Sequence, residues 1–209
     1  MKHLETEFKW DANTPRAFAR MRAAWRRVKG VRFSQAVRLS IWDVYMDAPD
    51  GNFAREQIAF RVRCTGGKWE ATFKTRSEVK NGKAVRREET LPMPGVTTLE
   101  GALRFLNAKK SWKGLRVQGL KPLFEIRNRR QCVNVFYDGA AAEMAFDAFE
   151  IRVCGRRVQM KEIELEHKQG CEKNTERLAQ ELTYASGLSY TAFSKVKTAT
   201  ALLKLWGNK

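Results

Sequence analysis

The chain has 209 residues, 40 Lys and Arg against 23 Asp and Glu, a net charge of +17, and 43% hydrophobic residues. That length and apolar content give one globular domain over 1–209 and exclude a disordered chain. The charge draws polyanions without naming one, so nucleic acid, a phosphorylated metabolite and polyphosphate all stay open.

No run approaches the ~20 apolar residues of a membrane span, and no apolar leader opens the chain, so a cytoplasmic protein is expected. Cys64, Cys132, Cys154 and Cys171 are scattered without a CxxC pair, which argues against zinc or thiol redox chemistry.

LETEFKW opens a strand that puts Glu5, Glu7 and Lys9 on one face and Leu4, Phe8 and Trp10 on the other. A helix is expected next, with Thr14 as cap, Pro15 in the first turn and Gly30 at the stop. Its five interleaved arginines read as a solvated face. Residues 37–46 alternate as a strand and run into the turn chemistry of Pro49, Asp50 and Gly51.

IAFRVRC faces Arg61 and Arg63 one way and Phe60, Val62 and Cys64 the other. Gly66-Gly67 and Asn81-Gly82 mark hairpins on either side of KWEATFKTR, where Thr72, Lys74 and Arg76 share a face. AVRREETLP then carries Arg86, Glu88 and Thr90 on one face. A helix over 97–109, a Gly-punctuated connector and three long strands over 122–137, 141–153 and 156–168 follow. The last strand holds a second comb, Glu162, Glu164, Glu166 and Lys168. Helices over 173–185 and 191–206 close the chain, the region 189–209 forming a C-terminal helical tail.

Eight strands joined by hairpins predict an α+β fold with an antiparallel sheet, and eight is a number that closes into a barrel. An open sheet would show the charged face to water, whereas a barrel would gather it into a polar bore. The mixing of opposite charges over so many strands favours the bore.

No GxxxxGK[ST] occurs, and no Ser-His-Asp or Cys-His pairing stands out. By alternation His167 points away from its neighbouring glutamates, while His3 shares the face of Glu5 and Glu7. What remains is carboxylates with basic residues. Glu5, Glu7, Glu162 and Glu164 suit Mg²⁺ or Mn²⁺, and Lys9, Arg61, Arg63, Lys74, Arg86 and Arg130 suit phosphate oxygens.

ETEFK resembles the ExExK signature of the CYTH superfamily, the triphosphate tunnel metalloenzymes. YMDAPDGN, FRVR, TFKTR, RREETLP, PLFEIRNRR, EMAFD and EIELE follow in that family's order, from residue 3 to about 185. The resemblance implies an eight-stranded tunnel barrel flanked by helices that binds a triphosphate end-on, with one or two divalent ions on glutamates. It implies catalytic roles for Lys9, Arg61, Arg63 and Asp147, with Glu162 and Glu164 among the acids that bind metal or position water. Arg130 fits the later-strand arginine, with Arg127 and Arg129 as competitors for that register, and Glu88 and Glu166 fit the same bore.

SYTAFSKVKTATALL resembles the SKxxRGYxL segment of the bacterial inorganic triphosphatase branch, matching at Ser194 and Lys195 and departing at Thr198 and Ala199. These 209 residues leave no room for the histidine-rich CHAD domain that often follows this module, so a stand-alone unit is expected. The expected activity is metal-dependent hydrolysis of inorganic tripolyphosphate or an organic triphosphate. A class IV-type adenylate cyclase and a non-catalytic binder of polyphosphate or nucleic acid are the alternatives.

Overall fold

The computed structural model describes residues 3–75, 78–80, 83–191 and 194–207, with the backbone alone for 3–5, 78–80 and 83–87. The chain begins with β1 (His3–Asp11), α1 (Ala17–Trp25), β2 (Arg32–Phe33), β3 (Val37–Asp47) and the one-turn α2 (Asn52–Arg55). Then come β4 (Ala59–Thr65), β5 (Lys68–Lys74), β6 (Glu78–Lys80), β7 (Lys83–Pro92) and α3 (Leu99–Lys109). A small hairpin of β8 (Ser111–Trp112) and β9 (Leu115–Arg116) leads into β10 (Lys121–Tyr137), β11 (Ala140–Val153) and β12 (Arg156–Gln169). The chain ends in α4 (Glu172–Ser186) and α5 (Lys195–Trp206).

Eight of the strands form a ring in the order β1, β12, β11, β10, β3, β4, β5, β7, and β7 pairs back onto β1. Every ladder in that ring is antiparallel. The β1–β7 ladder runs from His3↔Glu88 to Phe8↔Lys83 and closes the barrel. The tight links suit this twist: Asp138-Gly139 has φ of 46° and 74°, the double positive turn that matches two right-handed strands. Cys154-Gly155 makes the same turn at 49° and 72°, a link in which only the glycine announces itself in sequence.

Strand alternation sorts side chains to the two faces. Phe8, Trp10, Met144, Phe146, Ile163 and Leu165 face outward and pack beneath α1 and α4. On the opposite flank Val44, Met46, Phe60, Val62, Ala71 and Phe73 pack against α2, α3 and Trp112. Each of the Val, Ile, Leu, Met and Phe side chains among them is worth about 1.5–3 kcal/mol on leaving water.

The bore differs from the expectation of a polar lining throughout. On β10 the inward positions run Arg130, Asn128, Ile126, Phe124, and on β11 they run Asp147, Phe149, Ile151, Val153. On β12, Glu164 and Glu162 are followed by Met160. These apolar inward positions pack against Val196, Ala199, Leu202, Leu203 and Trp206 of α5. The strands outrun their charged combs, and the apolar continuation demands cover that water cannot give. α5 supplies that cover by filling the bore at that end.

Helix ends follow their capping chemistry. Thr98 Oγ1 accepts from the Gly101 amide to start α3, and Ser194 Oγ accepts from Lys197 N to start α5 at Lys195 rather than Thr191. α4 stops at Gly187 with φ 61°. α1 is shorter than expected: Arg16 takes a left-handed φ of 59°, so neither Thr14 nor Pro15 opens it, and the chain turns after Trp25 well before Gly30.

Candidate active site

The bore encloses a cavity of about 780 Å³ lined by Lys9, Arg61, Arg63, Lys74, Arg130, Glu7, Glu164 and Lys195, among others. One wall is acidic. Asp147 on β11 and Glu162 and Glu164 on β12 each offer an oxygen within 4.8 Å of the others. The register explains their meeting, because Asp147 lies opposite Glu162 and Ala145 opposite Glu164. Glu164 reaches the cavity, while Asp147 and Glu162 lie buried behind it.

Three cations thread this wall. Lys195 Nζ lies 2.8 Å from Asp147 Oδ2 and 3.0 Å from Glu164 Oε1, and also pairs with Glu162. Lys9 Nζ lies 2.6 Å from Glu164 Oε1, 3.3 Å from Glu7 Oε2 and 3.6 Å from Glu162 Oε1. The Arg130 guanidinium donates to both Asp147 oxygens at 2.8 and 2.7 Å and to Glu164. Buried charges persist only when paired in this way.

The titration behaviour follows. Burial alone would neutralise Lys9, but Glu162, Glu164 and Glu7 hold its ammonium charged above the usual lysine range. Lys195 is likewise raised, burial being outweighed by Asp147, Glu162 and Glu164. Asp147 and Glu164 are held below the usual carboxylate range, the pull of Lys195 and of their other cations exceeding burial. Burial pushes the Glu162 carboxyl up to about 7, with Lys195 and Lys9 opposing it.

The opposite wall is basic. Asp43 on β3 accepts from Arg63 Nε and Nη2 at 2.6 and 2.8 Å, a bidentate pair. Arg61 lies 3.9 Å from Asp43 and 3.6 Å from Glu88, and Lys74 lies 2.7 Å from Glu88. Burial would raise Asp43, yet Arg61 and Arg63 hold it below the carboxylate range. Arg61 Nε is buried without a hydrogen-bond partner, as is Asn128 Oδ1 beside the same cavity.

The structure therefore brings Lys9, Arg61, Arg63, Lys74, Arg130, Glu7 and Glu164 to one cavity, with Asp147 and Glu162 in its wall. Glu88 and Glu166 line it too. Among the three competing arginines Arg130 faces the bore; Arg127 and Arg129 point outward and are exposed, Arg127 lying 5.1 Å over the Trp42 ring. The side chains of Glu5, Arg86 and His3 lie outside the described residues, as do Arg76 and the Asn81-Gly82 turn; in the backbone Glu5 pairs with Arg86. His167 Nδ1 meets Thr175 Oγ1 at 2.9 Å against α4, away from the cavity.

Two residues of the site had no place among the expected site residues. Asp43 follows Ile41 at strand spacing in an apolar stretch, where a lone inward acid is the only sign of it. Lys195 was marked by the Ser-Lys pair alone; only the seat of α5 inside the barrel shows where its ammonium goes.

An eight-stranded antiparallel tunnel flanked by helices is the fold that the resemblance to the CYTH domain family implies. That family matches residues 3–200, and the chain belongs to it. It is 26% identical over 176 residues to an inorganic triphosphatase of Haemophilus influenzae, covering 82% of this chain; it spans about half, 49%, of that curated relative's length. A Hippeastrum protein named as a candidate adenylyl cyclase and described as having a dominant triphosphatase activity superposes with a TM-score of 0.68 at 18% identity, covering 94% of this chain and 95% of that one. A Pyrococcus horikoshii OT3 protein gives a TM-score of 0.62 at 17% identity over 95% of this chain and 99% of its own. At these identities the two structures share the fold.

Proposed function

We propose that the bore binds the terminal phosphates of a triphosphate end-on and hydrolyses a phosphoanhydride bond with a divalent ion, Mg²⁺ or Mn²⁺. The observation that carries this reading is the juxtaposition, in one cavity, of hard oxygen donors and of cations able to grip phosphate. The name of the Haemophilus influenzae relative supports it.

The donor set fits a hard cation: three clustered carboxylates, with Glu7 joined to them through Lys9 and Glu5 two residues before it on the same strand. When bound, such an ion would neutralise phosphate oxygens and make a bound water more acidic. Arg61, Arg63 and Lys74 would orient the phosphates from the basic wall, arginine by paired donors. Arg86 is the proposed further phosphate ligand. Lys9 and Arg130 keep their charge beside the reacting group. Glu162 lies behind the cavity wall beside Asp147 and Glu164 and would hold the ion with them.

The test is phosphate release from tripolyphosphate, ATP and thiamine triphosphate with each metal. Arg61→Ala and Glu164→Gln should each lower kcat/KM at least a hundredfold, the former chiefly through KM. Full activity in Glu5→Gln plus Glu162→Gln would sink the metal assignment, and cyclic AMP formed from ATP would overturn the hydrolytic one.

A further inference from the structure

The tunnel takes up only a few of the chain's 40 Lys and Arg. Residues 12–42 hold eight Lys and Arg and no acid, and none of those eight lines the cavity. The register brings one of these eight, Arg38, together with cations of the later strands. Ser40, Arg129, Ala148 and Lys161 stand side by side across β3, β10, β11 and β12. All four point outward, because their neighbours in sequence point into the bore. One row on, Arg38 lies opposite Gln131, to which Arg22 of α1 donates at 2.8 Å; on the other side Arg127 lies opposite Trp42.

Arg38, Arg127, Arg129 and Lys161 are exposed. Two acids share this patch: Glu150, opposite Arg127, accepts from Arg152, and Glu125 accepts from Trp42 Nε1 and lies 3.6 Å from Arg127 Nε, which leaves Arg38, Arg129 and Lys161 as the cations that carry the surface. The result is a basic strip on the outer face of β3, β10 and β12, carried by Arg38, Arg127, Arg129 and Lys161, beside the part of the sheet that α1 covers at Phe146 and Ile163.

We infer that this outer face is a docking surface for the phosphate backbone of a double-stranded nucleic acid, separate from the tunnel. Charge complementarity selects a polyanion. The chemistry of the face selects a duplex: single-strand binders stack bases on exposed aromatic rings, whereas the ring here, Trp42, lies beneath the Arg127 guanidinium. Arginines on a rigid sheet match a regular phosphate array and carry no base readout, so binding is independent of sequence.

The experiment is fluorescence anisotropy of a labelled duplex of about 25 base pairs and mixed sequence, titrated with the intact protein at several salt concentrations. The triple variant Arg38→Glu/Arg129→Glu/Lys161→Glu should weaken binding at least tenfold and flatten the salt dependence by about one per lost phosphate contact. A control triple with the same charge change elsewhere, Lys109→Glu/Lys113→Glu/Arg116→Glu, should change affinity less than threefold. Circular dichroism melts establish that both triples fold. Equal losses in the two triples would overturn the face assignment, and displacement of the duplex by tripolyphosphate would place binding in the tunnel instead. Capture of long-chain polyphosphate without capture of duplex would overturn the choice of partner. None of these results depends on whether the tunnel hydrolyses a triphosphate.

Discussion

Lys195 sets one ammonium against Asp147, Glu162 and Glu164, and a divalent ion on the same oxygens would compete with it. Lys195→Met should cost about 3–5 kcal/mol in metal-free protein, because the buried Asp147 and Glu162, with Glu164 at the cavity, lose a shared partner. Mg²⁺ or Mn²⁺ should recover more stability in this variant than in the parent, which paired urea titrations with and without metal will show. Asp43 makes a different demand. Its native pKa is depressed by Arg61 and Arg63, so its contribution is full above the unfolded value near 3.8 and is lost as pH falls through the native value. Asp43→Asn should cost about 3 kcal/mol at pH 6, and the gap between variant and parent should narrow as pH falls below about 3.8. A gap that stayed constant with pH would rule out the ion pair as the source. Lys9, Arg61 and Arg63 were legible because strand alternation fixes which face they take. Asp43 was not, since its partner lies twenty residues on, and only the β3–β4 register puts the two opposite each other.

At the scale of elements, the long strands were readable to within a residue or two because their alternation is strict and their turns carry glycine. α1 was misjudged at both ends: a proline and a threonine look like a helix start, but the backbone at Arg16 turns left-handed instead. The seat of α5 lay beyond reading. An Ala- and Leu-rich amphipathic helix suits an outer groove as well as a barrel interior, and only ring closure decides between them. Ser194→Ala should remove about 1 kcal/mol from the start of that helix. Hydrogen exchange should then quicken in the amides of 195–199 while those of β10 and β11 stay protected.

Across the whole molecule, the closed ring ties every barrel strand to two neighbours, so no strand leaves without breaking two ladders. We therefore expect residues 3–207 to unfold as one cooperative unit. Tryptophan fluorescence and far-ultraviolet circular dichroism should give coincident urea midpoints. Separate midpoints would show that the α1–α4 flank and the α3 flank, each with its own apolar cluster, are independent units. Among the described residues no helix is long and apolar enough to cross a membrane.

The seating of α5 has a kinetic corollary. A passage stopped at one end is a cul-de-sac, so whatever has been cleaved inside must back out past the next arrival at the same mouth. Traffic of that kind makes the shorter products rivals of the incoming chain. Under the proposed reaction, pyrophosphate should therefore inhibit competitively against tripolyphosphate, and trimming Trp206 and Leu203 at the blocked end should relieve that inhibition before it changes the chemistry of cleavage.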